Sequence, residues 1–158
     1  MSNEIINHIK NKSKVISLEH GIGEIVANFS MYDGVDDYLE VFYFTDKKPR
    51  YFCVKHTSDI RLLSSKENIE LALREMKSRV SDHSIINKFN ELNTEFIEKN
   101  VLFIVKRVVD LIRKNELNSS DNLLLQSSIN SLIQEIEEVY KVDNQDAREM
   151  VEDCLKAA

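Results

Sequence analysis

Glycine, proline, cysteine and tryptophan are scarce in this chain, whose 158 residues include three glycines, one proline, two cysteines and no tryptophan. With so few glycines, a glycine-rich loop that cradles phosphate is not expected. The sequence patterns of phosphate-binding loops, dinucleotide-binding turns and zinc proteases are absent. The two cysteines, Cys53 and Cys154, are far apart and fall in different predicted elements. We therefore expect reduced thiols and no disulfide framework.

Long apolar runs are missing as well. No run approaches the 18 residues that a membrane-spanning helix needs. Residues 1–14 lack the apolar core of a signal peptide. These absences predict a cytoplasmic protein with no membrane partner.

The charge is negative and unevenly distributed. The formal net charge is -6, which is not typical of a nucleic-acid-binding protein. Residues 1–64 carry 8 basic and 9 acidic residues, whereas residues 82–158 carry 9 basic and 15 acidic residues. The acidity is therefore concentrated in the C-terminal half.

The segment from Val15 to Leu62 is rich in β-branched and aromatic residues, with turn residues between them. Gly21 and Gly23 tolerate the positive φ of a tight reversal, and Asp33-Gly34 is a second turn signal. One strand is predicted to begin at Val15, and others cover residues 24–29, 38–44, 50–55 and 59–62. Five short strands with tight turns predict an SH3-like or Tudor-like β-barrel.

Two of these strands differ from the rest. The strand over residues 38–44 is apolar on both faces except at Glu40, which indicates a central position. The strand over residues 50–55 follows Pro49 and alternates Arg50, Phe52 and Val54 with Tyr51, Cys53 and Lys55. If it is an edge, its free backbone groups could pair with a strand of another protein.

The remaining hundred residues contain neither glycine nor proline and show helical periodicity. Ser64 and Glu67 fit a capping box at the start of the first helix, which ends near Arg79. Further helices are predicted over residues 84–96, after Asn100, from Asn118 to Tyr140, and from residue 143 or 144 onward. The fold class is thus α+β, with a β-barrel domain over residues 1–63 and an all-α bundle of about five helices over residues 64–158.

Signals for catalysis are weak. The four histidines are scattered, and none pairs with a cysteine at zinc spacing. His20 beside Gly21 is interpreted as a turn residue, and the run of Glu135, Glu137 and Glu138 as a solvated helix face. We therefore expect no enzymatic activity, no metal and no cofactor.

The basic residues suggest a surface for phosphate. Lys77 and Arg79 end the first predicted helix, and Lys88 lies early in the second. On the third helix, pairs of basic residues recur seven positions apart: Lys106 and Arg107, then Arg113 and Lys114. The pattern fits a stripe that follows a nucleic-acid backbone, or a solvated face with intrahelical ion pairs.

The order of these parts resembles the CarD/CdnL family of bacterial transcription regulators. The resemblance rests on short segments spread from about Lys14 to Ala158: His20-Gly21-x-Gly23, Tyr38-Leu39, Asp110-Leu111-Ile112-Arg113-Lys114, Leu117-Asn118-Ser119-Ser120-Asp121, Glu135, Ala147 and Leu155. The barrel module also occurs in the transcription-repair coupling factor. The resemblance implies that the barrel docks on the β subunit of bacterial RNA polymerase. It also implies that the helical domain contacts promoter DNA at the upstream edge of the melted region, where an aromatic wedge enters the minor groove.

The resemblance and the pattern of basic residues together give the candidate residues. The polymerase-binding candidates are Met31, Arg50, Tyr51, Cys53 and Lys55. The DNA-binding candidates are Lys77, Arg79, Ile85, Ile86, Lys88, Arg113 and Lys114.

The chain departs from the family in several of these positions. Ile85 stands where the family has its tryptophan wedge, and Met31 and Cys53 stand near the positions of family arginines. We therefore expect a nucleoid-associated monomer that binds promoter DNA weakly and nonspecifically once it is tethered to the polymerase. The alternative is a polymerase-binding adaptor whose acidic helical domain docks another protein instead of DNA.

Overall fold

The computed structural model describes residues 3–30, 36–54, 60–78 and 101–156, and within these ranges the fold is α+β. The described residues group into two compact units, one ending at Leu62 and the other beginning at Leu63. The first contains α1 (Asn3–Lys10), β1 (Lys14–Ser17), β2 (Gly21–Ser30), β3 (Asp37–Tyr43), β4 (Lys48–Cys53) and β5 (Ile60–Leu62). The second contains α2 (Lys66–Ser78), α3 (Val101–Ile112), α4 (Ser119–Tyr140) and α5 (Asn144–Lys156). The predicted helix over residues 84–96 lies outside the described residues.

The five strands form one antiparallel sheet in the order β4-β3-β2-β1-β5. The predicted central position of β3 is confirmed, because β3 pairs with β2 on one side and β4 on the other. Among the described strands the sheet is open, with β4 and β5 at its edges. Closure into an SH3-like or Tudor-like barrel stays a prediction.

The two glycines at the start of β2 serve different purposes. Gly21 has a φ of 73°, a conformation that side chains disfavour, as expected for a tight reversal. Gly23 is outside that region and is needed instead for a close approach. A Cβ there would lie 2.8 Å from Val41 Cγ1 and 2.9 Å from the backbone oxygen of Phe42.

The core of the sheet unit lies on one face of the sheet. It consists of Val15, Ile25, Leu39, Val41, Tyr43 and Ile60, which are almost fully buried. Ile9 of α1 packs against this cluster. The helix ends in a Schellman motif, in which Lys12 has a φ of 49° and the N–H of Ser13 donates to the carbonyl of His8. The N-terminal residues, for which the sequence predicts no role, thus contribute a helix to this core.

The helical unit is built from helices whose apolar faces meet. α2 packs against α3 and α5, α3 packs against α4, and α4 packs against α5. The buried side chains follow the predicted 3.6-residue periodicity, with Ile69, Ala72, Leu73 and Met76 in α2 and Val101, Leu102, Ile104, Val105, Val108 and Leu111 in α3. Asn118 caps α4 as expected, since its side chain accepts a hydrogen bond from the N–H of Asp121.

The predicted cap of α2 is wrong by one residue. The helix begins at Lys66, and the Oγ of Ser65, not of Ser64, accepts the N–H of Asn68 at 3.2 Å. The N–H of Glu67 itself and then the Ser65 hydroxyl lower the pKa of the Glu67 carboxyl. The helix start is therefore satisfied without Ser64.

Ser64 instead belongs to a buried polar cluster with Glu135. The Glu135 side chain is fully buried, so its interpretation as part of a solvated face is wrong. Its Oε1 accepts the backbone N–H of Ser64 at 2.7 Å, and the Ser64 Oγ accepts the N–H of Val101 at 2.9 Å. These bonds join the segment before α2 to the start of α3 and the middle of α4.

Candidate protein-docking edge

The β4 strand is an exposed edge of the sheet. It pairs with β3 alone among the described strands, and its first four residues, Lys48 to Tyr51, are exposed. An edge strand presents unpaired N–H and C=O groups that can accept another strand. The sequence predicts that this segment could pair with a strand of another protein if it is an edge, and the structure places it at an edge.

Pro49 indicates which backbone groups of β4 face outward. Proline has no N–H, so within a sheet it is found where that position faces away from the neighbouring strand. In an antiparallel pair, successive residues direct their backbone groups to alternate sides. The outward groups are therefore those of Tyr51 and Cys53, together with the carbonyl of Pro49. The stretch available for pairing is short.

The two faces of β4 differ in chemistry. In the register with β3, Arg50 and Phe52 lie opposite Val41 and Leu39 on the core face, and Phe52 packs against the core. Tyr51 and Cys53 lie opposite Glu40 and Tyr38 on the other face. The candidate set from the sequence is therefore divided between the two faces of the strand.

Three aromatic rings form a cluster on the face opposite the core. The Phe29 ring stacks on Tyr38 with centroids 5.8 Å apart, and it meets Tyr51 edge-on at 5.6 Å. The three residues belong to β2, β3 and β4 respectively, so the cluster spans three strands. The Tyr51 side chain is nevertheless 56% exposed. Aromatic side chains exposed in this way are enriched in protein interfaces.

Arg50 belongs to a separate polar group at the loop end of the sheet. Its Nη2 lies 3.5 Å from Asp46 Oδ2, and the same oxygen lies 3.4 Å from the Nδ1 of His20. The His20 ring packs on Tyr43, with ring centroids 5.0 Å apart. The backbone N–H of His20 donates a hydrogen bond to Ser17 Oγ. His20 is therefore a turn residue, as interpreted from the sequence. Its contact with Asp46 was missed, because it joins two loops that are distant in the sequence.

Tyr43 is the buried centre of that loop end. Its side chain is fully buried, and burial raises the pKa of its phenol. The nearby Ser17 hydroxyl lowers that pKa in part, but the Tyr43 hydroxyl makes no hydrogen bond of acceptable geometry in the described part of the chain. The ring also packs edge-on against Phe52 of β4, which supports the edge strand from behind.

The remaining polymerase-binding candidates, Met31 and Lys55, lie outside the described residues. Cys53 is half-buried and Cys154 is buried, and both are free thiols, as expected. Burial raises the pKa of the Cys154 thiol, so it stays protonated near neutral pH.

The DNA-binding candidates are only partly described. Arg79, Ile85, Ile86 and Lys88 lie outside the described residues. Lys77 is exposed in the last turn of α2, and Arg113 and Lys114 directly follow α3.

Lys114 is engaged within the molecule. Its Nζ lies 2.8 Å from Oδ1 of Asp121 in α4, and this hydrogen bond lowers the pKa of the Asp121 carboxyl. The ion pair closes the loop between α3 and α4 across a separation of seven residues. Lys106 and Arg107 are half-buried on α3. Intramolecular pairing therefore accounts for at least one of the four cations in the predicted stripe.

Metal-binding clusters and membrane-spanning helices are both absent from the described residues. Within them, no group of three or more His, Cys, Asp or Glu side chains is placed to hold a metal ion. None of the helices in the described ranges combines the length and apolar character that crossing a bilayer requires.

Comparison with known proteins adds no family assignment. The chain matches none of the protein-family models against which it was compared, and no curated protein matches its sequence significantly.

Proposed function

We propose that this chain is a bacterial transcription regulator that docks on the β subunit of RNA polymerase through the β4 edge. Its helical half contacts promoter DNA weakly and nonspecifically, and thereby tunes the stability of the open complex. The observation that carries the proposal is the exposed β4 edge, where Pro49 indicates that the backbone groups of Tyr51 and Cys53 face outward. The resemblance to the CarD/CdnL family supplies the partner, because in that family the corresponding module is the polymerase anchor.

Backbone pairing gives affinity with little dependence on the side chains of β4. This explains how an anchor can function although Met31 and Cys53 stand where the family has arginines. Docking also raises the effective concentration of DNA near the helical half, so weak contacts there suffice. In this scheme, Ile85 is inserted as a small apolar wedge at the minor groove.

The edge can be tested by comparing Cys53→Pro with Cys53→Ala in binding to purified RNA polymerase. Both variants remove the thiol, but only proline removes the outward N–H and places a ring where the partner strand would lie. We expect Cys53→Pro to weaken binding at least tenfold more than Cys53→Ala, with similar thermal unfolding midpoints. Equal affinities for the two variants would exclude strand addition at β4.

The DNA contact can be tested with the full chain in promoter-melting kinetics. We expect Ile85→Ala to change the lifetime of the open complex, whereas Ile112→Ala, which alters an exposed isoleucine of α3, leaves it unchanged. Equal lifetimes for Ile85→Ala and the parent would count against the wedge.

A second candidate function is a polymerase-bound adaptor that docks a basic protein. It is favoured by α4 and α5, where residues 119–156 contain three basic residues and, besides the buried Glu135, eight acidic residues. Such a surface is complementary to a cationic partner and repels DNA phosphates. Fluorescence anisotropy of the full chain with duplex DNA at low salt separates the two candidates: binding at micromolar protein supports the regulator, and its absence supports the adaptor.

A further inference from the structure

The basic side chains of β2, β3 and β4 lie on one face of the sheet. Lys48 and Arg50 are opposite Tyr43 and Val41 on the face that carries the core, which also carries Asp37 of β3. On the opposite face these strands contribute Glu24, which lies opposite Lys14 of β1, and Glu40, which lies next to β4. Beside the docking edge, the face opposite the core therefore carries the Glu40 carboxylate and no basic side chain of β2, β3 or β4.

Glu40 stands beside the aromatic cluster of Phe29, Tyr38 and Tyr51. It is paired directly with Tyr51 across β3 and β4, and directly opposed side chains in such a pair have Cβ atoms about 5 Å apart. Glu40 has no ion-pair partner in the described residues. A carboxylate next to an exposed tyrosine ring is a combination that attracts a cation by charge and by the ring quadrupole.

We infer that this face receives a cationic side chain, arginine or lysine, from the strand that adds to β4, an inference that rests on the proposed function. A residue of the added strand that lies opposite Tyr51 projects from the same face of the extended sheet. Its side chain reaches the exposed Tyr51 ring and the Glu40 carboxylate together. Arg50 does not oppose this arrangement, because it lies on the other face and is paired with Asp46.

The geometry also gives the added strand a preferred registration. Backbone pairing alone tolerates a shift of two residues along the edge. A single cation held between Tyr51 and Glu40 fixes one position, and a shift by one residue would move that cation to the face where Lys48 and Arg50 lie. The carboxylate therefore contributes specificity for the partner strand.

The test measures the dissociation constant for purified RNA polymerase by biolayer interferometry at about 50 and 300 mM salt. Glu40→Gln should weaken binding about three- to tenfold at low salt and less at high salt, because salt screens an exposed pair. Tyr51→Leu, which keeps apolar area but removes the ring, should weaken binding by a similar factor at both concentrations. The matched controls are Glu24→Gln and Phe44→Leu, which alter the same sheet away from the β4 pairing stretch and should bind within twofold of the parent.

The outcomes separate this inference from the function on which it rests. If the parent binds polymerase and both Glu40→Gln and Tyr51→Leu bind within twofold of it, the cation site is wrong and the anchor stands. Tighter binding by Glu40→Gln would also overturn the inference, because it would indicate an acidic partner at this face. If the parent does not bind polymerase, the proposed function and the inference fail together. Tyr51 is 56% exposed, so Tyr51→Leu remains an interpretable variant even if Glu40→Gln unfolds.

Discussion

The sheet unit and the helical unit treat their polar groups in opposite ways. The sheet unit leaves the edge strand β4 open, and Tyr51 of that strand is exposed. In the helical unit, Ser64 and Glu135 are paired in the interior, and Lys114 is paired with Asp121 at the surface. The described part of the sheet unit therefore leaves the backbone of an edge strand open to pairing, whereas these polar groups of the helical unit hold its own helices together.

Removing the buried carboxylate of the helical unit should destabilise the protein more than any other substitution considered for the two units. Glu135→Ala leaves the buried N–H of Ser64 without its acceptor, and we expect a loss of about 3 kcal/mol in the free energy of unfolding. Urea denaturation followed by far-ultraviolet circular dichroism measures it. Glu135→Gln, which keeps an acceptor oxygen, should lose less. Glu137→Ala serves as the control, and an equal loss there would show that the Ser64 contact is not the cause.

A second substitution probes the tight packing behind the open edge. Gly23→Ala places a methyl group against the backbone oxygen of Phe42, which cannot move without disturbing the pairing of β2 with β3. We expect a loss of about 2 kcal/mol in the free energy of unfolding. Gly21→Ala, which places a side chain at the disfavoured positive φ, should lose about 1 kcal/mol. The same denaturation experiment compares the two, and the reverse order would contradict the assignment of the close approach to Gly23.

A pH experiment tests whether Lys114 serves the helical unit. The pKa of Asp121 is lowered in the folded state by Lys114, so the pair stabilises the fold above the ordinary aspartate pKa. This contribution is lost as the pH falls through the lowered pKa. Lys114→Met should therefore lower the urea midpoint at pH 7, by less than Glu135→Ala does. Near pH 2 the urea midpoints of Lys114→Met and the parent should be equal. A difference that persists at pH 2 would assign the effect to packing.

The smallest expected effect concerns the end of α1. Lys12 adopts a φ of 49°, which glycine accepts without steric cost. Lys12→Gly should raise the free energy of unfolding by about 0.5 kcal/mol, whereas Lys10→Gly, at the last residue of the helix, should lower it by about 0.5 kcal/mol. The thermal unfolding midpoints of the two variants, each compared with the parent, test this prediction. A lower midpoint for Lys12→Gly would contradict the Schellman assignment.

Sequence patterns predicted most of the described secondary structure because the signals are local. The alternation of β3 and the periodicity of α2 and α3 identify buried faces directly. Pro49 marks β4 as an edge for a local reason as well. The helix α1 was missed, since eight residues are too few for periodicity to be distinctive.

The aromatic cluster could not be predicted because it depends on a β-bulge. The register of β2 with β3 shifts between Ile25 and Ala27, so residues after the bulge change faces. If β2 alternated regularly through Val26, Phe29 would share the core face with Ile25 and would not meet Tyr51. A single irregularity therefore decides which side chains surround the candidate site.

The burial of Glu135 was predictable in part. It lies three residues after Leu132 and directly before Ile136, on the buried face of α4. The neighbouring Glu137 and Glu138 hid that signal, because a run of acidic residues usually faces solvent. The acceptor role toward Ser64 depends on a contact across 71 positions, and no local pattern indicates it.

Pro49 also bears on whether the open edge can pair with other copies of the chain. Open sheet edges are sites where identical chains stack on one another, and proline and lysine are residues that interrupt such stacking. Lys48 and Pro49 occupy the first third of β4 and leave a stretch too short to template long aggregates. The edge that we propose admits one partner strand is thereby protected against stacking of identical chains.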